Sequence, residues 1–180
     1  SEAKASGAIL SRMDAALAFR GWDLFLSAGR PTVHIVDQWP DKALKVTAKT
    51  ALTDGVWHHL LVVFDGTRPG PEAISLYADG VLQPVDVEQN NLGPDISVNV
   101  PVRIGARSRG PDGLDAVLSA KVAVQDVRLY NTALSQDEVQ RLSIKLPLQQ
   151  WLATEAAART EPQKNSLFDR YLLTFDKPGQ

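Results

Sequence analysis

The chain has 180 residues, 44% of them hydrophobic and 22% charged, with 19 basic against 21 acidic side chains and a net charge of −2. That is ordinary globular composition, which excludes a disordered or collagen-like chain, and the charge balance supplies no basic field for a nucleic-acid backbone or an anionic membrane. The sequence has no cysteine, so disulfides, thiolate metal sites and cysteine nucleophiles are excluded. No run approaches the ~20 apolar residues of a membrane helix, so neither nucleic acid nor membrane insertion is expected. The opening Ser1-Glu2-Ala3-Lys4 is followed by no apolar stretch of signal-peptide length.

Residues 8–131 read as strands separated by turns. Residues 22–26 alternate, with Trp22, Leu24 and Leu26 on one side and Asp23 and Phe25 on the other. Residues 32–36 are short and β-branched, with Pro31 marking their start. Residues 43–48 set Leu44, Val46 and Ala48 against Lys45 and Thr47. A turn at Thr53-Asp54-Gly55 precedes a dense apolar strand over 57–64, too apolar to face water. A long turn with Pro69-Gly70-Pro71 leads to a strand at 73–78. Asp79-Gly80 is a hairpin signal, because a type I′ turn needs positive φ at both positions. Residues 81–87 return from it, and 90–95 form a loop. Residues 98–104 read as an edge or bulged strand because of Pro101. Residues 107–113 read as a polar loop and 118–130 as one or two strands.

The period then changes. Ser135-Gln136-Asp137-Glu138 has the form of a capping box, in which a hydroxyl and a carboxylate each take a free amide of the first helical turn. Val139 and Leu142 supply an apolar side, and Pro147 is expected to interrupt the helix. The alanine-rich run 148–159 favours helix. Thr160 is placed as the cap of a further helix carrying Leu167, Tyr171 and Leu172. The predicted architecture is an all-β sandwich over 1–142 with a helical extension over 143–180.

Three segments in order carry a resemblance. They are Asp54-Gly55-Val56-Trp57-His58-His59 with Leu60 through Gly66, then Ile74-Ser75-Leu76-Tyr77-Ala78-Asp79-Gly80, then Arg103-Ile104-Gly105-Ala106-Arg107 with Val127-Arg128-Leu129-Tyr130-Asn131. This set, over residues 8–142, resembles the laminin-G-like, concanavalin-A-like jelly-roll domains. Gly7-Ala8-Ile9-Leu10, Gly21-Trp22-Asp23-Leu24 and Gln38-Trp39-Pro40 are similar to an insert of large planctomycete-type secreted proteins that also carry cytochrome-c-like regions. The resemblance implies a concanavalin-A-like jelly roll in an extracytoplasmic setting, beside neighbouring domains of a longer chain. It also implies one or two strands upstream of Gly7, where six residues stand. Either an edge strand lies outside the chain or another segment fills its place.

The implied function is a non-catalytic, lectin-like binding module for glycan or protein. A spacer without ligand and a glycan hydrolase are the alternatives. Against the hydrolase, the paired-carboxylate strand of glucanases in this superfamily is absent. Asp86 and Glu88, two apart, read as a solvated face. His58-His59 point to opposite faces of a strand and do not chelate together. No cofactor is required, and calcium is the one the resemblance allows, with Asp14, Asp95, Asp112 and Asp115 as loop oxygen donors. Trp57, Phe64, Tyr77 and Tyr130 read as core aromatics, and Arg103, Arg107 and Arg109 as a solvated basic cluster.

The candidate binding site is Trp39 with Asp37, Gln38 and His34. A tryptophan beside a proline in a hairpin connection is poorly placed for burial. Exposed, it stacks on a sugar ring or a protein partner, with the three neighbours as polar contacts. Folded back, it covers the sandwich mouth or meets the terminal helices.

Overall fold

The computed structural model describes residues 5–109, 115–117, 122–161, 163–165, 167–168 and 171, with the backbone alone at 108–109, 115–117 and 144–150. Six strands form one sheet in the order β8-β4-β3-β2-β1-β9: β1 (Gly7–Asp14), β2 (Arg20–Ser27), β3 (Arg30–Gln38), β4 (Lys42–Ala48), β8 (Val85–Asn90) and β9 (Arg103–Ile104). The strands β5 (Leu60–Phe64), β6 (Ile74–Ala78) and β7 (Val81–Leu82) form a second sheet. A third pairs β10 (Ala106–Arg109) with β11 (Asp115–Val117).

Alternation in the sequence decides which faces meet. Val33 and Ile35 of β3, with Leu44, Val46 and Ala48 of β4, pack against Ile74 and Leu76 of β6. Trp22 and Leu24 join them from β2, and Val62 and Phe64 from β5. The two larger sheets therefore bury one apolar face each, the arrangement of a β-sandwich. The hairpin between β6 and β7 forms as its sequence demands: Asp79 has φ 52° and Gly80 φ 78°. The place beside β1, where upstream strands were expected, is taken by β9, which pairs Leu10 with Ile104 and Ser11 with Arg103.

Several expectations are corrected. The strand after the 53–55 turn begins at Leu60, so Trp57 precedes it and is exposed rather than core. Phe64 and Tyr77 do pack inside. Of residues 98–104 only Arg103–Ile104 is strand, and Pro84 splits the return from the hairpin into β7 and β8. Residues 107–109 continue β10 rather than opening a loop. Residues 122–130 carry no strand, and Val124, Leu129 and Tyr130 are exposed. Asp112, residues 118–121 of the expected strand region, Leu172 and residues 173–180 lie outside the described residues.

The chain divides into two units, Ser1–Leu134 and Ser135–Gln180. The second opens on α1 (Gln136–Ala153), whose capping box is formed as the sequence implies. The Ser135 amide and hydroxyl both donate to Glu138 Oε2, at 2.8 and 2.7 Å, and the Glu138 amide donates back to Ser135 Oγ. Pro147 does not interrupt α1, which runs on to Ala153. A proline removes one amide donor from the ladder, and the bonds on either side carry the helix past it. At the next helical start the Thr160 amide donates to Gln163 Oε1.

Candidate functional site

The second face of the six-stranded sheet, turned away from the core, carries the site. Cross-strand register places side chains on it in rows. Ser11, Asp23, His34 and Lys45 stand opposite one another across β1, β2, β3 and β4. The adjacent row is Met13, Gly21, Val36 and Ala43. This second row is apolar and buried, and the Trp39 indole packs on Met13, Val36 and Ala43. A recess of roughly 150 Å³ results, lined by Met13, Phe19, His34, Val36, Trp39 and Arg107.

The polar wall of the recess is a buried triad. The Asp23 side chain is 0% exposed, and each of its oxygens has one partner. Oδ1 lies 2.6 Å from His34 Nδ1, and Oδ2 accepts from Arg107 Nε at 2.6 Å. Arg107 reaches in from β10, its guanidinium 4.6 Å from the Phe25 ring centre. The His34 ring meets Phe25 and Trp39 edge to face, at 5.9 and 5.6 Å between centres. Ser11, beside Asp23, donates its hydroxyl to the Ala106 carbonyl and so ties β10 to the row.

The loops set the rim. Trp39 follows β3 in the β3–β4 connection, its peptide bond to Pro40 is cis, and its amide donates to the Ala18 carbonyl at 2.9 Å. Ala18 and Phe19 both hold positive φ, 52° and 60°. This conformation is uncommon for residues with a side chain, and Phe19 lines the recess with Trp39.

Of the four residues singled out in the sequence, His34 and Trp39 meet at the recess. Trp39 is half-buried: it folds back over the sheet and keeps part of its ring at the opening. Asp37 is buried elsewhere. Its carboxylate receives Arg20 Nη2 at 2.9 Å, and the same guanidinium holds Asp95 at 3.2 Å. Gln38 is exposed and does not line the recess. Sequence reasoning missed Asp23, Phe19 and Arg107. The basic cluster expected to be solvated is corrected at Arg107, which is half-buried and ion-paired.

Other candidates have structural partners. His58 bonds Asp79 and the Thr53 carbonyl, which pins the turn before β5. Desolvation lowers the His59 pKa below its usual value, against the pull of Asp79. Asp14 accepts from the Ala16 amide, and Asp95 from Ser97. Among the described residues no three His, Asp or Glu side chains converge as a metal site. A wider recess of about 310 Å³ lies beside Arg12, Trp22, Ile96, Ser97 and Val98, but Arg12 is spent on the Val98 and Val100 carbonyls.

Asp86 and Glu88 are each held by cations. Asp86 lies 3.8 Å from Arg30 and 3.7 Å from Lys49, and Glu88 lies 2.5 Å from Lys45 while accepting from Thr47. Desolvation raises the Glu88 pKa, but the bonds from Lys45 and Thr47 outweigh it and hold the carboxyl below 4.5. A depressed carboxylate contributes stability above its unfolded pKa and loses it as pH falls through the folded one. Glu88→Gln should therefore be less stable than wild type at neutral pH, with a flatter loss of stability on acidification below 4.5. The side chain is 41% exposed, so the neutral-pH difference should stay under ~1 kcal/mol in urea unfolding. Equal acid slopes for the two proteins would refute the assignment.

A family described as the concanavalin A-like lectin/glucanases superfamily matches residues 2–140. The chain belongs to that superfamily. The laminin-G-type match covers the sandwich that carries the recess. No curated protein matches the chain. Among solved structures, it is similar to the S-layer domain-containing protein (residues 221–444) from Clostridium thermocellum ATCC 27405, at 19% identity and a TM-score of 0.39. That match covers 79% of this chain and 65% of the other, so the chain spans less than two thirds of that structure. No helix among the described residues is long and apolar enough to cross a membrane.

Proposed function

We propose that this chain is a non-catalytic, lectin-like binding module that recognises a glycan or protein segment within a larger extracytoplasmic protein. The observation that carries this reading is the recess itself, with two aromatic side chains, Trp39 and Phe19, beside the His34 and Arg107 polar groups. Apolar walls with a few fixed polar atoms are the general form of a ligand site. Family membership over residues 2–140 supports the reading, because it covers the whole recess. The paired carboxylates that glycoside hydrolysis needs do not line it: Asp86 and Glu88 face cations elsewhere on the sheet edge. Any cytochrome-c-like redox work in the parent belongs to its other domains.

The test is a titration of tryptophan fluorescence and melting temperature against a polysaccharide panel, with and without Ca²⁺. A saturable shift is expected, and Trp39→Ala should abolish it while wild type retains it. A shift that survives Trp39→Ala would move the site away from the recess. A panel that produces no shift in wild type would favour a spacer.

A further inference from the structure

The two aromatic side chains of the recess sit on neighbouring chain connections, and one backbone bond ties those connections together. Phe19 ends the β1–β2 connection, residues 15–19, and Trp39 opens the β3–β4 connection. Among the described residues the Trp39 amide has one hydrogen-bond partner, the Ala18 carbonyl, at 2.9 Å. No other backbone bond joins the two connections among the described residues.

The tie is carried by strained backbone. Ala18 holds φ 52° and ψ 44°, and Phe19 holds φ 60°. A side chain at left-handed φ crowds the following carbonyl, at a cost comparable to the net contribution of one hydrogen bond. Neither residue is glycine, which takes positive φ without that crowding. The ends of the connection are fixed independently of the strained pair. At one end the Asp14 carboxylate accepts from the Ala16 amide at 2.9 Å. At the other the Arg20 guanidinium donates to the Asp37 carbonyl and carboxylate, at 3.1 and 2.9 Å, and to Asp95 at 3.2 Å. Fixed ends confine relaxation to residues 18 and 19. The Ala18 carbonyl is oriented by the ψ of Ala18 and the φ of Phe19, so relaxing φ at 19 turns it away from the Trp39 amide.

We infer that the Ala18-Phe19 pair is a strained latch on Trp39, which closes the recess when the bond is made and opens it when the pair relaxes. In the closed state the indole lies on Met13, Val36 and Ala43. In the open state Trp39 leaves that floor and the mouth widens. Strained residues persist where their surroundings hold them, and in ligand clamps the strain is part of the mechanism. Phe19 is thereby a positioning residue, acting through the Ala18 carbonyl on Trp39. The inference rests on the reading of the recess as a binding site and adds how entry to it is controlled.

The experiment is NMR of the whole chain in wild type, Phe19→Ala and Phe19→Gly. Both variants lack the Phe19 ring and differ in the left-handed penalty alone. In wild type the Trp39 amide should exchange with solvent faster than that of Ile35, which lies within the β2–β3–β4 ladders. Phe19→Gly should slow Trp39 exchange about five- to thirtyfold relative to Phe19→Ala, the left-handed penalty expressed as an equilibrium ratio. Ile35 should slow less, because glycine's larger entropy in the unfolded chain offsets part of the gain in global stability. Met13, the single methionine of the chain, reports the floor. Its methyl should show relaxation dispersion at the rate found for the Trp39 amide, and the dispersion should shrink in Phe19→Gly. Trp39 protection equal to that of Ile35 in wild type, or equal slowing of the two amides, overturns the latch. A Met13 methyl without the shared exchange shows a loose amide but no gate, and overturns it too. If neither variant folds, the wild-type amides and methyl still decide. No sugar enters this experiment, so its failure leaves the binding module standing, and failure of the glycan titration leaves the latch as measured.

Discussion

Arg107→Met is expected to destabilise the sandwich by about 3–5 kcal/mol, the usual cost of removing one partner from a buried charge pair. The reason is asymmetric burial. The Asp23 side chain is 0% exposed, whereas that of Arg107 is 23% exposed. Losing the guanidinium leaves a carboxylate sealed in the sheet with only His34 to compensate it. It also removes one tie of β10 to this face, leaving the Ser11 bond to the Ala106 carbonyl. Urea unfolding of Asp23→Asn, Arg107→Met and the double variant checks this. In the double variant the stranded charge is gone and the Asn oxygen still accepts from His34. It should therefore be more stable than Arg107→Met alone, with a coupling of about 1–3 kcal/mol. Strict additivity would mean that the triad does not act as a unit.

The same triad marks where local sequence ran out. The alternation Trp22-Asp23-Leu24-Phe25-Leu26 correctly set Asp23 apart from the core, because side chains on a strand alternate by geometry. What local pattern does not carry is the partner 84 residues later. In the sequence Arg107 reads as one of three loop arginines, whereas in the fold it follows Gly105, where φ is 73°, and reaches Asp23 from β10. Trp39 was conspicuous because a tryptophan beside proline is unusual in a hairpin, and its reading stayed open between exposure and cover. The structure gives it both, one part of the ring on Met13 and Val36 and the rest at the recess. Phe19 carried no signal in the sequence, since its place depends on two consecutive positive φ values.

The legible features are those settled within a few residues. The Asp79-Gly80 hairpin and the Ser135–Glu138 capping box depend on neighbours in sequence, and both formed as read. Residues 122–130 show the opposite case. Their β-branched density promised strands, yet a strand needs a ladder, and β propensity is mostly a statement about neighbours. With no ladder they leave Leu129 and Tyr130 in water. Pro147 taught a related lesson. A rule about one missing donor was outweighed by the remaining helical bonds of α1.

Gly21→Ala should be the most damaging small substitution at the site, and it separates two roles of glycine. Gly21, the second residue of β2, stands between Met13 on β1 and Val36 on β3. Its φ is +121°, and a Cβ built there lies 2.0 Å from the Arg12 carbonyl oxygen and 3.0 Å from Met13 Cα. Both obstacles are backbone of the paired strand, so relief requires pulling β1 away from β2 at the floor of the recess. Backbone strain of about 1–3 kcal/mol and a comparable packing cost together give a loss of roughly 2–6 kcal/mol. Gly55→Ala is the control. Gly55 also holds positive φ, +79°, but nothing lies within 4 Å of its Cβ position, so only the left-handed penalty of about 1–2 kcal/mol applies. Unfolding free energies of the two variants measure the difference, which is the worth of the close strand approach. If Gly21→Ala were no worse than Gly55→Ala, the two strands would have to yield freely there. The floor formed by Met13 and Val36 would then be soft, and a recess built on it would not hold Trp39 and His34 at fixed spacing. A large gap means instead that the absence of one side chain at position 21 lets β1 and β2 approach closely enough to align Ser11 with Asp23 in the next row.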